Sequence, residues 1–378
     1  MQKTKLIIVG GFLGSGKTTS IIALAKLLLE QGKKVGVVTN DQGSNLVDTK
    51  YMQSQGLPVL EVSGGCFCCN LDQFTKKLGE MQQKDYPDYI LAEPVGSCIN
   101  LVATLMKPIR SGYPGQFTLS PLSVVVDPKR LRRVIRDSVA SFSNDINYLF
   151  CKQLEEADII VLNKIDTVQE DELAEMRAFL AKQYPTAELM EISAREGDGM
   201  ADWSERVVSL EDLPHDRAVP VSYQQYTRAE AALGWLNCSA AITVHRAFDG
   251  NEFALLLAQW LQGEIKKGGY EIAHLKTYVV SSLDYCKLSC VSVEESCEFD
   301  QRMTAMMADA TLVLNIRAAA PPQFLKGAAE SALALLQQKF PCSIQVVATE
   351  AFAPAYARPK KVRVSRKGGE GCGGTGCC

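Results

Sequence analysis

Apolar residues fall along this chain in short runs that alternate with longer stretches of helical period. Leu6-Ile7-Ile8-Val9 is the first run. Others follow at Lys34–Thr39, Pro58–Val62, Tyr89–Ala92, Leu122–Val126, Ile159–Leu162 and Glu188–Ile192. Runs this short, bounded by polar turns, predict strands buried on both faces. Between them Ile21, Ile22, Leu24, Ala25, Leu28 and Leu29 mark one side of a helix that closes at Glu30-Gln31-Gly32. Leu71, Phe74, Leu78 and Met81 mark a second over 71–83, and Leu131, Val134, Ile135 and Val139 a third over 129–140. Gln169–Gln183 reads as a charged amphipathic helix, whereas Ser44–Gly56 shows no regular period. Such alternation predicts a mostly parallel α/β sheet covered by helices on both faces.

The second half has another order. Strand (240–245), helix (251–264) and strand (274–282) precede an irregular, cysteine-punctuated stretch (284–299). A strand (311–317), a helix (323–339) and a strand (343–348) follow. This β-α-β … β-α-β order predicts a small α+β domain of the ferredoxin-like split type. The expected divisions are 1–212, a polar linker over 213–236, a second domain over 237–353 and a basic, glycine- and cysteine-rich tail over 354–378.

Composition narrows the partners. A chain of 378 residues is long enough for two cores, and a net charge of −3 gives no reason to expect nucleic acid or an anionic membrane. No apolar run approaches a membrane span, and the first strand begins too early for a secretory signal, so a cytoplasmic location is expected. The thirteen cysteines stand out. In a long chain of this kind a disulfide scaffold explains them poorly; their clustering at 66–69 and 372–378 suggests thiolate metal sites. With three histidines in all, metal chemistry must rely on sulfur and carboxylate.

Gly11 to Thr18 fits GxxxxGK[ST] between the first strand and the first helix, which makes it a P-loop in its proper context. Lacking side chains, Gly11, Gly14 and Gly16 let the backbone around Ser15 and Thr19 wrap phosphate oxygens at a helix N-terminus. Lys17 should reach the β and γ phosphates and Thr18 a Mg²⁺ ion. A purine base is read by Asn163-Lys164-Ile165-Asp166, directly after a strand. The Asp166 carboxylate accepts from the two donors of guanine, a pair that adenine lacks, so GTP and GDP are the expected nucleotides. Ser193 and Ala194 are expected to back the base through main-chain contacts. Asp41 and Glu93 end two other strands; either can hold Mg²⁺ or orient water, Gly96 offers an N–H near the γ-phosphate, and Gln42 is a further water-positioning candidate.

Cys66-Phe67-Cys68-Cys69 places two thiols on one side of an extended chain, with Cys69 elsewhere unless the chain turns. Two or three thiolates here fit a thiophilic metal such as Zn²⁺, Co²⁺, Ni²⁺ or Cu⁺, a redox pair, or buried structural cysteines. Cys98 lies near enough in sequence to Glu93 to approach the same crevice. Cys372, Cys377 and Cys378 offer a thiol cluster on a flexible tail, and Cys286, Cys290 and Cys297 a looser group. The basic run Lys129, Arg130, Arg132, Arg133 and Arg136 fits either a solvated helix face or a docking patch for acidic groups.

GGFLGSGKTT (10–19), TNDQG (39–43), GGCFCCN (64–70), EPVG (93–96) and NKID (163–166) together resemble the CobW-like branch of the P-loop metallochaperone GTPases. The resemblance is firm over about 1–200 and continues weakly, from Tyr226, over 220–350. It implies a GTPase that couples nucleotide state to binding and delivery of a transition metal to a client metalloprotein, or one that assembles or reactivates a corrinoid (cobalamin) enzyme. It also implies that Cys66, Cys68 and Cys69 are the metal-binding CxCC, that Glu93 is the family glutamate, and that a homodimer can form across the nucleotide face. Asn40-Asp41-Gln42-Gly43 departs from that branch's NEFG segment, and its histidine-rich stretch is missing.

Overall fold

The computed structural model describes residues 3–40, 47–62, 65–113, 115–136, 144–210, 219–282 and 284–354. Asp41, Gln42, Cys372, Cys377 and Cys378 lie outside these residues.

The first domain runs β1 (Thr4–Gly10), α1 (Lys17–Glu30), β2 (Val35–Asn40), α2 (Val47–Ser54), β3 (Val59–Val62), α3 (Leu71–Asp85) and β4 (Tyr89–Glu93). It continues through a π-helical turn (Val102–Met106), α4 (Lys107–Gly112), β5 (Phe117–Leu119), β6 (Ser123–Val126), α5 (Pro128–Arg136) and α6 (Asn144–Glu156). β7 (Ile159–Leu162), a 3₁₀ turn (Ile165–Thr167), α7 (Glu170–Gln183), β8 (Glu188–Glu191) and α8 (Met200–Ser209) complete it. Its strands pair in the order β3-β2-β4-β1-β6-β7-β8, all in parallel, with β5 also beside β1. Every residue of β1, β2, β6 and β7 is buried, which explains their lack of polar alternation. The strand order reverses at β1, so a crevice opens beyond its C-terminal end, where open α/β sheets bind ligands.

α9 (Tyr223–Ala231), capped by Ser222, leads into the second domain. This comprises β9 (Gly234–Val244), α10 (Gly250–Lys267), β10 (Ile272–Ser281), β11 (Tyr285–Cys290), β12 (Glu298–Gln301), β13 (Ala310–Ala318), α11 (Pro322–Lys339) and β14 (Cys342–Phe352). The strands form one antiparallel sheet in the order β12-β11-β10-β13-β9-β14. β9, β10, β13 and β14 with α10 and α11 make the split βαβ pattern, and the β11–β12 pair extends its edge. Asp249 caps α10 by accepting from Asn251 N at 2.8 Å, and Pro322 opens α11 where a missing N–H costs nothing.

Three stretches differ from the sequence expectation. Val47–Ser54 is a helix with Val47, Thr49, Tyr51 and Met52 buried. Its apolar face is completed by Tyr278 and Tyr285 of the second sheet, whose rings meet Tyr51 edge-on, so no local window reveals it. The 284–299 stretch holds strands β11 and β12, and Cys290 and Cys297 are joined in a disulfide rather than available as ligands. Cys286 is buried beneath them, its thiol donating to Gly250 O.

Of the basic residues of helix α5, Arg136 is exposed while the other four are engaged. Lys129 pairs with Glu295 and Glu298, each at 3.2 Å, and Arg132 pairs with Glu172. Arg133 bonds to Ser292 and faces Glu271, while Arg130 is buried over the Phe12 ring. The helix fastens one domain to the other. Among the described residues no helix is long and apolar enough to cross a membrane.

Candidate functional site

A crevice at the end of β1 is lined from below by Lys17, Thr18, Glu93, Gly96, Asn163 and Asp166. Gly11, Gly14 and Gly16 have φ of 133°, 80° and 95°, a backbone path that only glycine follows easily. A Cβ at Gly16 would lie 2.3 Å from Asn163 Nδ2, so the base-reading segment is packed directly on the loop. Asn163 Nδ2 donates to Ser15 O at 3.0 Å, and its Oδ1 accepts from Ala194 N at 3.1 Å. Lys164, in the left-handed region, bonds to Gly14 O at 2.9 Å and to Asp127 at 2.5 Å.

Asp127 is a residue that sequence reading missed. It ends β6 just before Pro128, accepts from Arg130 N at 3.0 Å and is held below the usual carboxylate range, against the effect of its burial, by Lys164. The strand-end Asp-Pro pair was the available signal. The Ser193 side chain adds a contact that the sequence did not convey: Oγ donates to Asp166 Oδ1 at 2.6 Å and fixes the carboxylate.

On the phosphate side Lys17 Nζ reaches Phe12 O at 3.2 Å, and Thr18 Oγ1 donates to Glu93 Oε1 at 3.0 Å. Burial lowers the Lys17 pKa against the pull of Glu93. Glu93 is buried with Oε2 lacking a partner; burial first and the Asp48 charge second raise its pKa to about 7. The Ser15 hydroxyl is likewise buried without a partner. Two orphaned oxygens and a threonine–glutamate pair fit a cradle for a hard cation and phosphate oxygens. Gly96 lies so close that a Cβ there would sit 3.0 Å from both Leu13 N and Lys17 Nζ, and Gln153 holds its carbonyl at 3.0 Å.

The thiols lie beside this crevice. The 66–70 segment turns, with Cys69 N and Asn70 N both bonded to Cys66 O, and this brings Cys69 to the other two. Cys66 Sγ is 2.7 Å from Cys68 Sγ and 3.0 Å from Cys69 Sγ, and all three sulfurs lie within 4.8 Å of one another. Hydrogen bonds from Cys68 and Cys69 hold the central Cys66 well below the thiol range. In return Cys69 is pushed up to about 12 and Cys68 upward. Buried Cys98 hydrogen-bonds to Cys66 as well, and Glu230 of α9 is close enough to act on Cys69 and Cys98.

One side chain spans the two sites. Asn40, the last residue of β2, lines the nucleotide crevice. Its Nδ2 donates to Val62 O at 2.9 Å and to Gly65 O at 2.8 Å, and its Oδ1 accepts from Phe67 N at 2.8 Å.

Residues 5–191 match the family model described as CobW/HypB/UreG, nucleotide-binding domain. The first domain belongs to that family. Among curated relatives, the zinc chaperone CobW of Sinorhizobium sp is 28% identical over 220 residues, 52% of this chain and 60% of its own. The zinc chaperone YeiR of Escherichia coli is 34% identical over 181 residues, 47% and 51% of the two chains. The zinc-regulated GTPase metalloprotein activator 1 of Schizosaccharomyces pombe is 27% identical over 212 residues, 53% and 49%. The chain thus spans about half the length of the curated relatives it matches. In this chain the matched P-loop domain carries a cluster of three thiols that could together hold a metal ion.

Proposed function

We propose that this protein is a GTP-hydrolysing metallochaperone that couples its nucleotide state to the binding and delivery of a thiophilic transition metal to a client protein. The observation that carries this reading is Asn40, which lines the nucleotide crevice and whose side-chain amide bonds to Gly65 and Phe67 of the thiol segment as well as to Val62 of β3. A nucleotide that moves the end of β2 necessarily moves Gly65 and Phe67, and with them the sulfur geometry. The names of the zinc-chaperone relatives favour Zn²⁺ as cargo.

The residues present suit the parts. Asp166, fixed by Ser193, offers acceptors for the two guanine donors. Lys17 and the loop amides suit phosphate, and Thr18 with Glu93 suits Mg²⁺, which when bound neutralises charge developing on the phosphate oxygens. Burial and the Asp48 charge raise the Glu93 pKa to about 7, which suits a carboxyl that orients water. Asp41 remains a proposed partner of the same ion, and Cys372, Cys377 and Cys378 proposed additional thiols for metal transfer. A homodimer across the nucleotide face is proposed on family grounds alone.

The test is anaerobic Zn²⁺ titration of the full chain with a non-hydrolysable GTP analogue and then with GDP, on wild type and C66S/C68S. We expect Zn²⁺ affinity to differ at least about tenfold between nucleotide states, a coupling of ordinary allosteric size, and to be lost in the variant. Equal affinity in the two states overturns GTP-coupled delivery and leaves the corrinoid-enzyme assembly role as the better reading. Stronger competition by ATP than by GDP overturns the base assignment.

A further inference from the structure

The nucleotide crevice has a roof. The second sheet turns one face toward the P-loop, and along β10, β11 and β13 that face carries His274, Lys276, Lys287, Asn315 and Arg317. Antiparallel register sets Lys276 beside Asn315 and His274 beside Arg317, while the intervening Leu275 points into the second domain's own core. His274, Lys276, Lys287 and Arg317 line the same crevice as Lys17, Thr18 and Glu93. His274 is buried with Nδ1 lacking a partner. Burying this many cationic and polar groups against another domain is costly unless anions meet them.

The anion that meets them here is Asp48 of α2. Its Oδ2 lies 2.6 Å from Lys276 Nζ and its Oδ1 4.0 Å from Lys287 Nζ. Lys287 has a second partner in Asp300 at 3.5 Å and rests over the Tyr51 ring. Asp48 therefore keeps a lysine if Lys276 leaves, and Lys276 is the cation free to exchange partners. Its charge already acts on both Lys17 and Glu93, the two groups that bracket the phosphate position.

We propose that Lys276 is a phosphate-binding residue supplied by the second domain of the same chain, held by Asp48 and transferred to the terminal phosphate of a bound nucleoside triphosphate. It rests on the nucleotide-binding reading above and deepens it: the second domain senses the phosphate count directly. A compact ammonium on a flexible stem is suited to such a transfer.

The experiment is equilibrium binding of a non-hydrolysable GTP analogue and of GDP to the full chain, as wild type, K276M, K276R, D48N and D48N/K276M. K276M should weaken the triphosphate analogue about tenfold, the size of one charge-assisted hydrogen bond, and change GDP affinity less than about twofold. K276R should recover most of the loss. D48N separates the proposal from a merely structural ion pair, because it breaks the same contact while freeing the lysine. D48N should tighten the triphosphate in the wild-type background and do so no longer in D48N/K276M. Equal weakening of both nucleotides by K276M, or D48N behaving as K276M does, overturns the proposal. Failure of wild type to bind either nucleotide overturns the nucleotide-binding reading itself.

Discussion

Gly14 and Val291 belong to different domains and are in contact at the phosphate loop. A Cβ built on Gly14 would stand 2.7 Å from Val291 Cγ1 and 3.2 Å from Ala273 O. The turn that would cradle phosphate is thus braced by the second sheet, and the loop's shape and the domain contact are one structural unit.

Gly14→Ala should therefore damage two things at once. The φ of 80° disfavours any L side chain, at a cost of about 1 to 3 kcal/mol, and the methyl group collides with Val291. We expect lower stability in chemical denaturation and a loss of nucleotide binding of at least about tenfold. Adding Val291→Ala should return part of the stability by removing the collision, while binding stays low because the backbone remains strained. Full recovery of binding in the double variant would show that φ at Gly14 is unimportant.

The parts of this site that sequence made legible are those whose geometry is local. GxxxxGK[ST] and NKID each occupy one strand end, and the apolar runs around them place both at the same edge of the sheet. What sequence did not convey depends on distant partners. Asp48 and Lys276 are 228 positions apart, and the burial of α2 relies on Tyr278, Tyr285 and Lys276 of the second sheet, which no local window contains. Arg132, Arg133 and Lys129 look like a basic surface until Glu172, Glu271 and Glu298 are brought against them. The CxCC turn was open to either reading, since its closing bonds to Cys66 O involve main-chain atoms.

Glu156 sets a pH dependence that lies away from the chemistry. It is buried at the end of α6, accepts from Val102 N at 3.3 Å, and burial raises its pKa to about 8 despite the backbone amides of 100–102. Between the unfolded carboxyl's range near pH 4.5 and pH 8 the folded chain keeps a proton that the unfolded chain has lost. Stability contributed below that window is therefore lost as pH rises through it, at a limiting slope of about 1.4 kcal/mol per pH unit. Glu156→Gln keeps an acceptor for Val102 N and removes the proton. Denaturation midpoints followed from pH 5 to 8.5 should fall less steeply for the variant; parallel curves would assign the pH dependence elsewhere, with Glu93 the next group to examine.

The Cys290–Cys297 disulfide closes the loop that roofs the crevice, and its reduction should be felt at the nucleotide. Between the two cysteines lie Val291, packed on Gly14, and Ser292, which bonds to Arg133 and whose carbonyl accepts from Gln262 at 2.8 Å. Ser296, in the same loop, lines the crevice. Closing a loop this short restricts the unfolded chain by about 2 to 3 kcal/mol in the chain-entropy account. In the folded protein the free loop must also be ordered again each time nucleotide binds, which should weaken binding about threefold. C290S/C297S should reproduce both losses under oxidising conditions, and a thiol reductant should bring wild type to the variant's values while leaving the variant unchanged. A reductant that weakens nucleotide binding equally in the variant would place the redox-sensitive groups at Cys66, Cys68 and Cys69 instead, and the loop disulfide would then be without influence on the site.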